Sequence, residues 1–301
     1  MKRFSDIVGN TTLIPLVNKN RTIWAKAEFT NPSGSVKDRM ATHIINDAEN
    51  KKLIKKGDTL CEATSGNSGI AFAMLAAERG YHMVIIMPSN MSEERKKMFK
   101  YYGAELIEVE DGDFDGAILM RDELCENDGW FNCNQFHNPL NIEAHYLTTG
   151  PEIFEEWSLP KIKGSYRRTD SPDVLILGTG TGGTLMGIGK YLKEKWPSIK
   201  IVAVEPAESP VMSGGESGLH GIQGIGDGSK FLVDLDFVDE VVTVSTEEAK
   251  TKARFLAKQG LFVGISAGAN VLAAEQWLET HSKENAITIL CDRGERYLSC
   301  L

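Results

Sequence analysis

Apolar residues fall in short unbroken runs, separated by stretches whose apolar positions recur with helical spacing. HMVIIMPS (82–89), DVLILG (173–178), IKIVAVEP (199–206) and AITILCD (286–292) read as buried strands, and AELIEVE (104–110) alternates as a strand does. SEERKKMFKYYG (92–103) reads as a helix opened by Ser92, with Glu93 and Glu94 in its first turn, and residues 114–127 as the next helix. TLMGIGKYLKEKW (184–196) and STEEAKTKARFLAKQG (245–260) follow, the latter closed by glycine. Strands alternating with helices predict an α/β fold with mostly parallel sheets covered by helices on both faces, hence three layers.

The 301 residues exceed the usual size of one domain, so two are expected. A 42% hydrophobic and 25% charged composition is that of an ordinary globular protein, and no run approaches 18 apolar residues. The net charge of −9 argues against nucleic acid and anionic membranes as partners. The start MKRFSDIVGN lacks an apolar signal core, and the five cysteines include no C-x-x-C pair; both point to the reducing cytoplasm. No metal is expected, since the six histidines include no H-x-x-x-H spacing, and His137 and His145 read as structural or surface residues. DGDFDGAILMRD (111–122) imitates a calcium loop, but its twelfth position is Asp rather than Glu and a strand precedes it, so it reads as an acidic strand-to-helix turn. PKIKGSYRRTDSPD (160–173) is the most linker-like stretch.

Chemistry concentrates in four places. NPSGSVKDRMA (31–41) sets Lys37 in the first turn of a helix, behind a Ser35/Asp38 capping-box pattern, where the helix dipole disfavours a cation. TSGNSG (64–69) lies between the strand TLCEA and an apolar helix. Its Thr64, Ser65, Asn67 and Ser68 suit a small anion such as a carboxylate, whereas ordinary capping needs one such residue. GTGTGGT (178–184) offers backbone N–H groups and threonine hydroxyls at a helix N-terminus, a phosphate site. It also satisfies G-x-G-x-x-G, with Glu205 ending the following strand, so an NAD-dependent dehydrogenase is a rival reading. GISAGAN (264–270) places Ser266 before a helix.

A lysine at a helix mouth, an anion turn and a phosphate turn together describe a site for pyridoxal phosphate and an amino acid. The chain resembles the cysteine synthase family (O-acetylserine sulfhydrylase and cystathionine β-synthase relatives), pyridoxal-phosphate enzymes of the tryptophan-synthase-β fold type. The likeness runs nearly end to end, through GNTTLIPL, NPSGSVKDRMA, TSGNSGIA, MSEERKKMFKYYGAE, QFHNPLNIEAHYLTTGPEI, GTGTGGT, VAVEP, GIQGIG, VGISAGA and DRGERYL. It implies two three-layer α/β domains with the cofactor in the cleft between them. The smaller, mobile one would hold residues 1–12 and 35–145, and the larger 13–34 and 146–301, the early strands crossing to the C-terminal sheet. A homodimer is implied as well.

By the same resemblance, Lys37 would hold pyridoxal 5'-phosphate as a Schiff base and then remove the substrate Cα proton. Asn67 would contact the 3-hydroxyl. Gly180, Thr181, Gly182, Gly183 and Thr184 would cradle the phosphate, and Thr64, Ser65, Ser68 and Gln135 the substrate carboxylate. Ser266 would face the pyridine nitrogen, where a neutral hydroxyl leaves a weaker electron sink suited to β-elimination rather than transamination. The implied activity is β-elimination and β-replacement on a serine- or cysteine-type amino acid through an α-aminoacrylate, as in cysteine synthesis from an activated serine and sulfide. The sequence departs from the family after GIQGIG, where a small apolar residue, Gly and Phe are usual and this chain has DGSKFLVD. Asp227 is an ordinary turn acid beside two glycines or, alternatively, a general base. As a base it would run the chemistry from L-cysteine, releasing hydrogen sulfide and forming L-serine by water addition.

Overall fold

The computed structural model describes residues 3–64, 66–159 and 168–300. The chain divides into two units, Met1–Val8 with Asn31–Asn141, and Gly9–Thr30 with Ile142–Leu301. Two strands of the second unit come first: β1 (Leu13–Asn18) and β2 (Arg21–Lys26) form an antiparallel hairpin in which Asn18 pairs with Arg21.

The first unit follows: α1 (Lys37–Asn50), β3 (Thr59–Ala63), α2 (Asn67–Arg79), β4 (His82–Pro88), α3 (Glu93–Tyr101), β5 (Glu105–Val109), α4 (Phe114–Asp128) and the two-residue β6 (Phe131–Asn132). Its four strands run parallel in the order β5-β4-β3-β6. α2 is apolar all round and buried from Ser68 to Ala76, as a central helix must be. It packs with Met40, Ile44, Ile45, Leu60, Ile85 and Phe99 into one core. Ser92 does precede α3 in extended conformation, with Glu93 and Glu94 in the first turn. The calcium-like segment is spent locally. Asp113 caps α4 by accepting from Gly116 N at 2.8 Å, and Asp122 binds Arg121 and Asn132.

The second unit resumes with α5 (Leu140–Ala144, whose first two residues lie before the boundary), a π-helical turn (His145–Thr149) and α6 (Gly150–Ser158). β7 (Val174–Gly178), α7 (Gly183–Lys195), β8 (Lys200–Pro206), β9 (Glu240–Val244), α8 (Thr246–Lys258), α9 (Ile265–Thr280) and β10 (Asn285–Ile289) complete it. Its sheet has the order β1-β2-β10-β7-β8-β9, parallel except for the β1/β2 edge, and β2 joins it by pairing with β10. α8 opens with a full capping box between Ser245 and Glu248. Residues 160–167 of the linker-like stretch lie outside the described residues.

The unit boundaries sit at 8/9, 30/31 and 141/142, each four residues earlier than the sequence placed them. Residues 10–13 go with the second unit because Asn10 N and Leu13 N bond to Glu152 and Glu156, and Thr11 Oγ1 bonds to the buried Glu28. Residues 31–34 go with α1 because Ser33 N and Oγ bond to Asp38. Ile142 and His145 go with α7, whose Gly187 lies so close that a Cβ there would come 2.3 Å from Ile142 O.

Candidate active site

Lys37 is the first residue of α1 and is half-buried. The expected capping box is replaced by a different arrangement. Ser35 Oγ accepts from Lys37 N at 3.3 Å, while the Asp38 carboxylate reaches past Ser35 to Ser33, accepting from its N–H at 2.6 Å and from its hydroxyl. The acid therefore folds residues 33–35 back over the helix start, and Lys37 stands beside a fully buried carboxylate.

Thr64, Asn67 and Ser68 lie where β3 hands over to α2; Ser65 is outside the described residues. Thr64 Oγ1 accepts from Gly66 N at 3.2 Å, shaping the turn. Ser68, 2% exposed in the first turn of α2, donates to Gln135 Oε1 at 2.5 Å. Gln135 is held on every side: its side-chain amide donates to Ala63 O, its backbone N–H to Glu62 Oε2, and its carbonyl accepts from Asn141. Small residues make room, since a Cβ on Gly66 would strike the buried Arg95 of α3 at 2.5 Å and one on Gly69 would lie 2.8 Å from Thr64 Cγ2. Glu62 is the member of this group that residue spacing did not reveal. It is fully buried between Gln135 N and the Arg121 guanidinium, 3.4 Å away. Burial pushes its carboxyl up to about 7, against the opposing pull of Arg121 and the Gln135 N–H. An alternation-based reading of TLCEA could have flagged it, as an acid inside a buried strand.

In the second unit the glycine turn closes on itself. Gly180 has no room for a side chain: a Cβ would come 2.6 Å from Gly224 O and 3.2 Å from Asp227 Oδ2. Gly182 has φ +86°, and a Cβ would lie 2.6 Å from Val233 Cγ2, so glycine is required on both counts. Gly183 opens α7, and Thr181, 3% exposed, accepts from its N–H at 3.4 Å. The segment carrying Asp227 is strapped over the turn by Gly226 N to Thr179 O (3.0 Å) and Leu232 N to Thr181 O (3.1 Å). Asn270 of α9 anchors the start of the turn, accepting from Gly178 N at 2.7 Å and donating to Ile289 O. Ser266 is buried one helical turn earlier on α9. Thr184, the last residue of the turn, faces the buried His145 at 3.1 Å.

This backbone-lined cradle at a helix N-terminus fits the phosphate of pyridoxal phosphate, being too tight for side chains yet rich in N–H donors. The dinucleotide reading fails on its acid. Both oxygens of Glu205 are engaged locally, accepting from Met212 N (2.7 Å) and from Ser213 N and Oγ (2.9 and 2.5 Å), so the carboxylate folds a loop instead of awaiting a ribose. Within the first unit Ser68 and Gln135 are brought into contact, and within the second the 178–184 turn and Asp227 are.

Known proteins are similar to this chain over nearly its whole length. The family described as Pyridoxal-phosphate dependent enzyme matches residues 4–292. A cysteine synthase of Staphylococcus aureus is 42% identical over 305 aligned positions, covering 98% of this chain and 94% of that one. Among solved structures, a hydrogen sulfide-producing enzyme of Fusobacterium nucleatum is 40% identical with a TM-score of 0.90, covering 98% of this chain and 89% of that one. The cysteine synthase of Entamoeba histolytica is 36% identical with a TM-score of 0.90, covering 100% and 90%.

Proposed function

Since the chain belongs to the cysteine synthase family of pyridoxal-phosphate-dependent enzymes, we propose specific roles for its residues in that family's reaction. The enzyme carries out β-elimination and β-replacement on a serine- or cysteine-type amino acid, with pyridoxal 5'-phosphate as cofactor. The bound cofactor supplies an aldehyde that captures amines and a ring that withdraws electrons from the substrate Cα. The Lys37 amine holds that aldehyde at rest and, once displaced by substrate, takes the Cα proton. Gly180, Thr181, Gly182, Gly183 and Thr184 hold the phosphate, Ser266 faces the ring nitrogen and Asn67 the ring hydroxyl. Thr64, Ser65, Ser68 and Gln135 hold the substrate carboxylate.

The observation that carries this assignment is the closed glycine turn, in which Gly180 and Gly182 admit no side chain while α7 points its N-terminus into the turn. The test is borohydride reduction of the yellow holoenzyme followed by peptide mapping, with the label expected on Lys37. Lys37→Ala should keep the fold by circular dichroism and lose turnover by about 10³-fold or more. A label on another lysine would overturn the assignment.

A second reading adds Asp227 as a general base and is favoured by where its carboxylate sits, 3.2 Å from the Cβ position of Gly180 on the phosphate turn. In that reading L-cysteine loses hydrosulfide from its β-carbon, and a water deprotonated by Asp227 adds there, so that cysteine plus water gives serine plus hydrogen sulfide. The likeness to a hydrogen sulfide-producing enzyme supports it. Asp227→Asn preserves size and removes the base, so sulfide and serine release from L-cysteine should fall at least tenfold. Parent rates in that variant would return Asp227 to an ordinary turn residue.

The proposal extends to a homodimer acting in the cytoplasm. The family resemblance carries the dimer, and the five cysteines are all free thiols, as a reducing compartment keeps them. Sedimentation of a single 33.1 kDa species at micromolar concentration would refute the dimer.

A further inference from the structure

Behind the phosphate turn lies a short chain of hydrogen bonds. Thr184 Oγ1 is 3.1 Å from His145 Nε2, and His145 Nδ1 is 2.8 Å from Thr149 Oγ1. His145 and Thr149 are both fully buried. They are the two ends of the π-helical turn, in which Gly150 N donates to His145 O. Such wide turns cost helical regularity and recur at functional sites. α7 comes close enough for this contact because residue 187 is glycine, where a Cβ would lie 2.7 Å from His145 Cβ. An irregular helix turn, a helix–helix approach that demands glycine and a buried imidazole all converge on one hydroxyl.

Proton counting gives the chain a direction. Thr184 has a single hydroxyl proton. If it went to His145, only oxygen lone pairs would face the phosphate, and two anionic or electron-rich oxygens would repel. If Thr184 instead accepts from Nε2–H, its own proton is free for the phosphate. The neutral Nε2–H tautomer then leaves Nδ1 as an acceptor, and the Thr149 hydroxyl donates to it. Resting on the reading that the 180–184 turn holds the cofactor phosphate, we infer that His145 is a positioning residue for that phosphate. Its Nε2–H aims the Thr184 proton outward, and Thr149 fixes the tautomer that allows this, just as partners behind metal-bound histidines fix theirs.

The experiment titrates the full-length chain with pyridoxal phosphate and, in parallel, with pyridoxal, which lacks the phosphate. His145→Leu should bind pyridoxal phosphate about tenfold more weakly while binding pyridoxal as the parent does. His145→Gln, whose amide can still donate to Thr184, should recover most of that loss. Thr184→Val should show the same selective loss, and the double variant should be no worse than Thr184→Val alone. The phosphorus resonance of the bound cofactor should move in His145→Leu. Equal weakening of both ligands by His145→Leu, or none, with Thr184→Val still selective, would overturn the role of His145 and leave the phosphate turn standing. Indifference of Thr184→Val to the phosphate would overturn the reading of the turn as well. If His145→Leu does not fold, Thr149→Val carries the test: a smaller selective loss supports the inference, and identical affinities for both ligands refute it.

Discussion

Glu62 shows how one buried side chain can hold a neighbouring loop from inside a sheet. Its carboxylate accepts from Gln135 N and faces Arg121, from a position inside the first unit's sheet. Because burial raises its folded-state value to about 7 from 4.5, the neutral form is the one folding favours. Its contribution to stability is therefore complete below about pH 4.5 and is lost as pH rises through about 7. Glu62→Gln resembles the neutral carboxyl and keeps an acceptor for Gln135 N. The variant should gain on the parent as pH rises across that window, by up to about 1.4 kcal/mol per pH unit. Thermal melts of both proteins in a pH series decide it, and a constant difference between them would refute the shift. Lys37 was legible for the opposite reason. Its placement against the helix dipole could be seen in eleven letters, whereas the burial of Glu62 depends on α4 and the loop at 135 packing around it.

At the scale of elements, close approaches between helices do what no single side chain can. α7 meets α5 and the π-helical turn through Gly187, where backbone oxygen and a histidine Cβ leave no room for a methyl group. Gly187→Ala should destabilise the fold by roughly 1–3 kcal/mol through overpacking, despite alanine's better helix propensity. It should also weaken pyridoxal phosphate binding, because separating the helices draws His145 away from Thr184. A stabilised variant with parent affinity would show that the two elements do not press on each other. The central strands of the repeating α/β pattern were readable as short unbroken apolar runs, because they are buried on both faces, and most helices by their spaced apolar positions. β6, the π-helical turn and the hold of Asp38 on Ser33 were not, since a two-residue strand, a one-residue helical insertion and a local carboxylate contact leave no periodic trace.

For the whole molecule, each unit has its own sheet and its own core, so unfolding need not be a single two-state event. Four of the five tryptophans, Trp24, Trp157, Trp196 and Trp277, belong to the second unit, which also holds the 178–184 glycine turn proposed to bind phosphate. Tryptophan fluorescence therefore follows that unit, while far-ultraviolet circular dichroism follows both. Inorganic phosphate at ten times its Kd should stabilise the second unit by about 1.4 kcal/mol, raising the fluorescence midpoint relative to a chloride control of equal ionic strength. An unmoved midpoint at saturating phosphate would argue against the turn as an anion site.

The order of elements, the parallel α/β plan and the residues of the glycine turns follow from local rules: apolar period, capping chemistry and glycine's access to positive φ. These are properties of neighbours in the chain, and the letters display them directly. The choice between a dinucleotide acid and a loop anchor for Glu205 was open in the letters, because both uses put a carboxylate at the end of the same strand. Folding closed it by bringing Met212 and Ser213 onto both oxygens. The same holds for Gln135, which gains Ser68, Ala63 and Glu62 from 67, 72 and 73 residues away. Contacts at that separation form only when strands and helices pack, and a hydrogen bond needs positions set to within a fraction of an ångström, which no pattern of apolar and polar letters encodes.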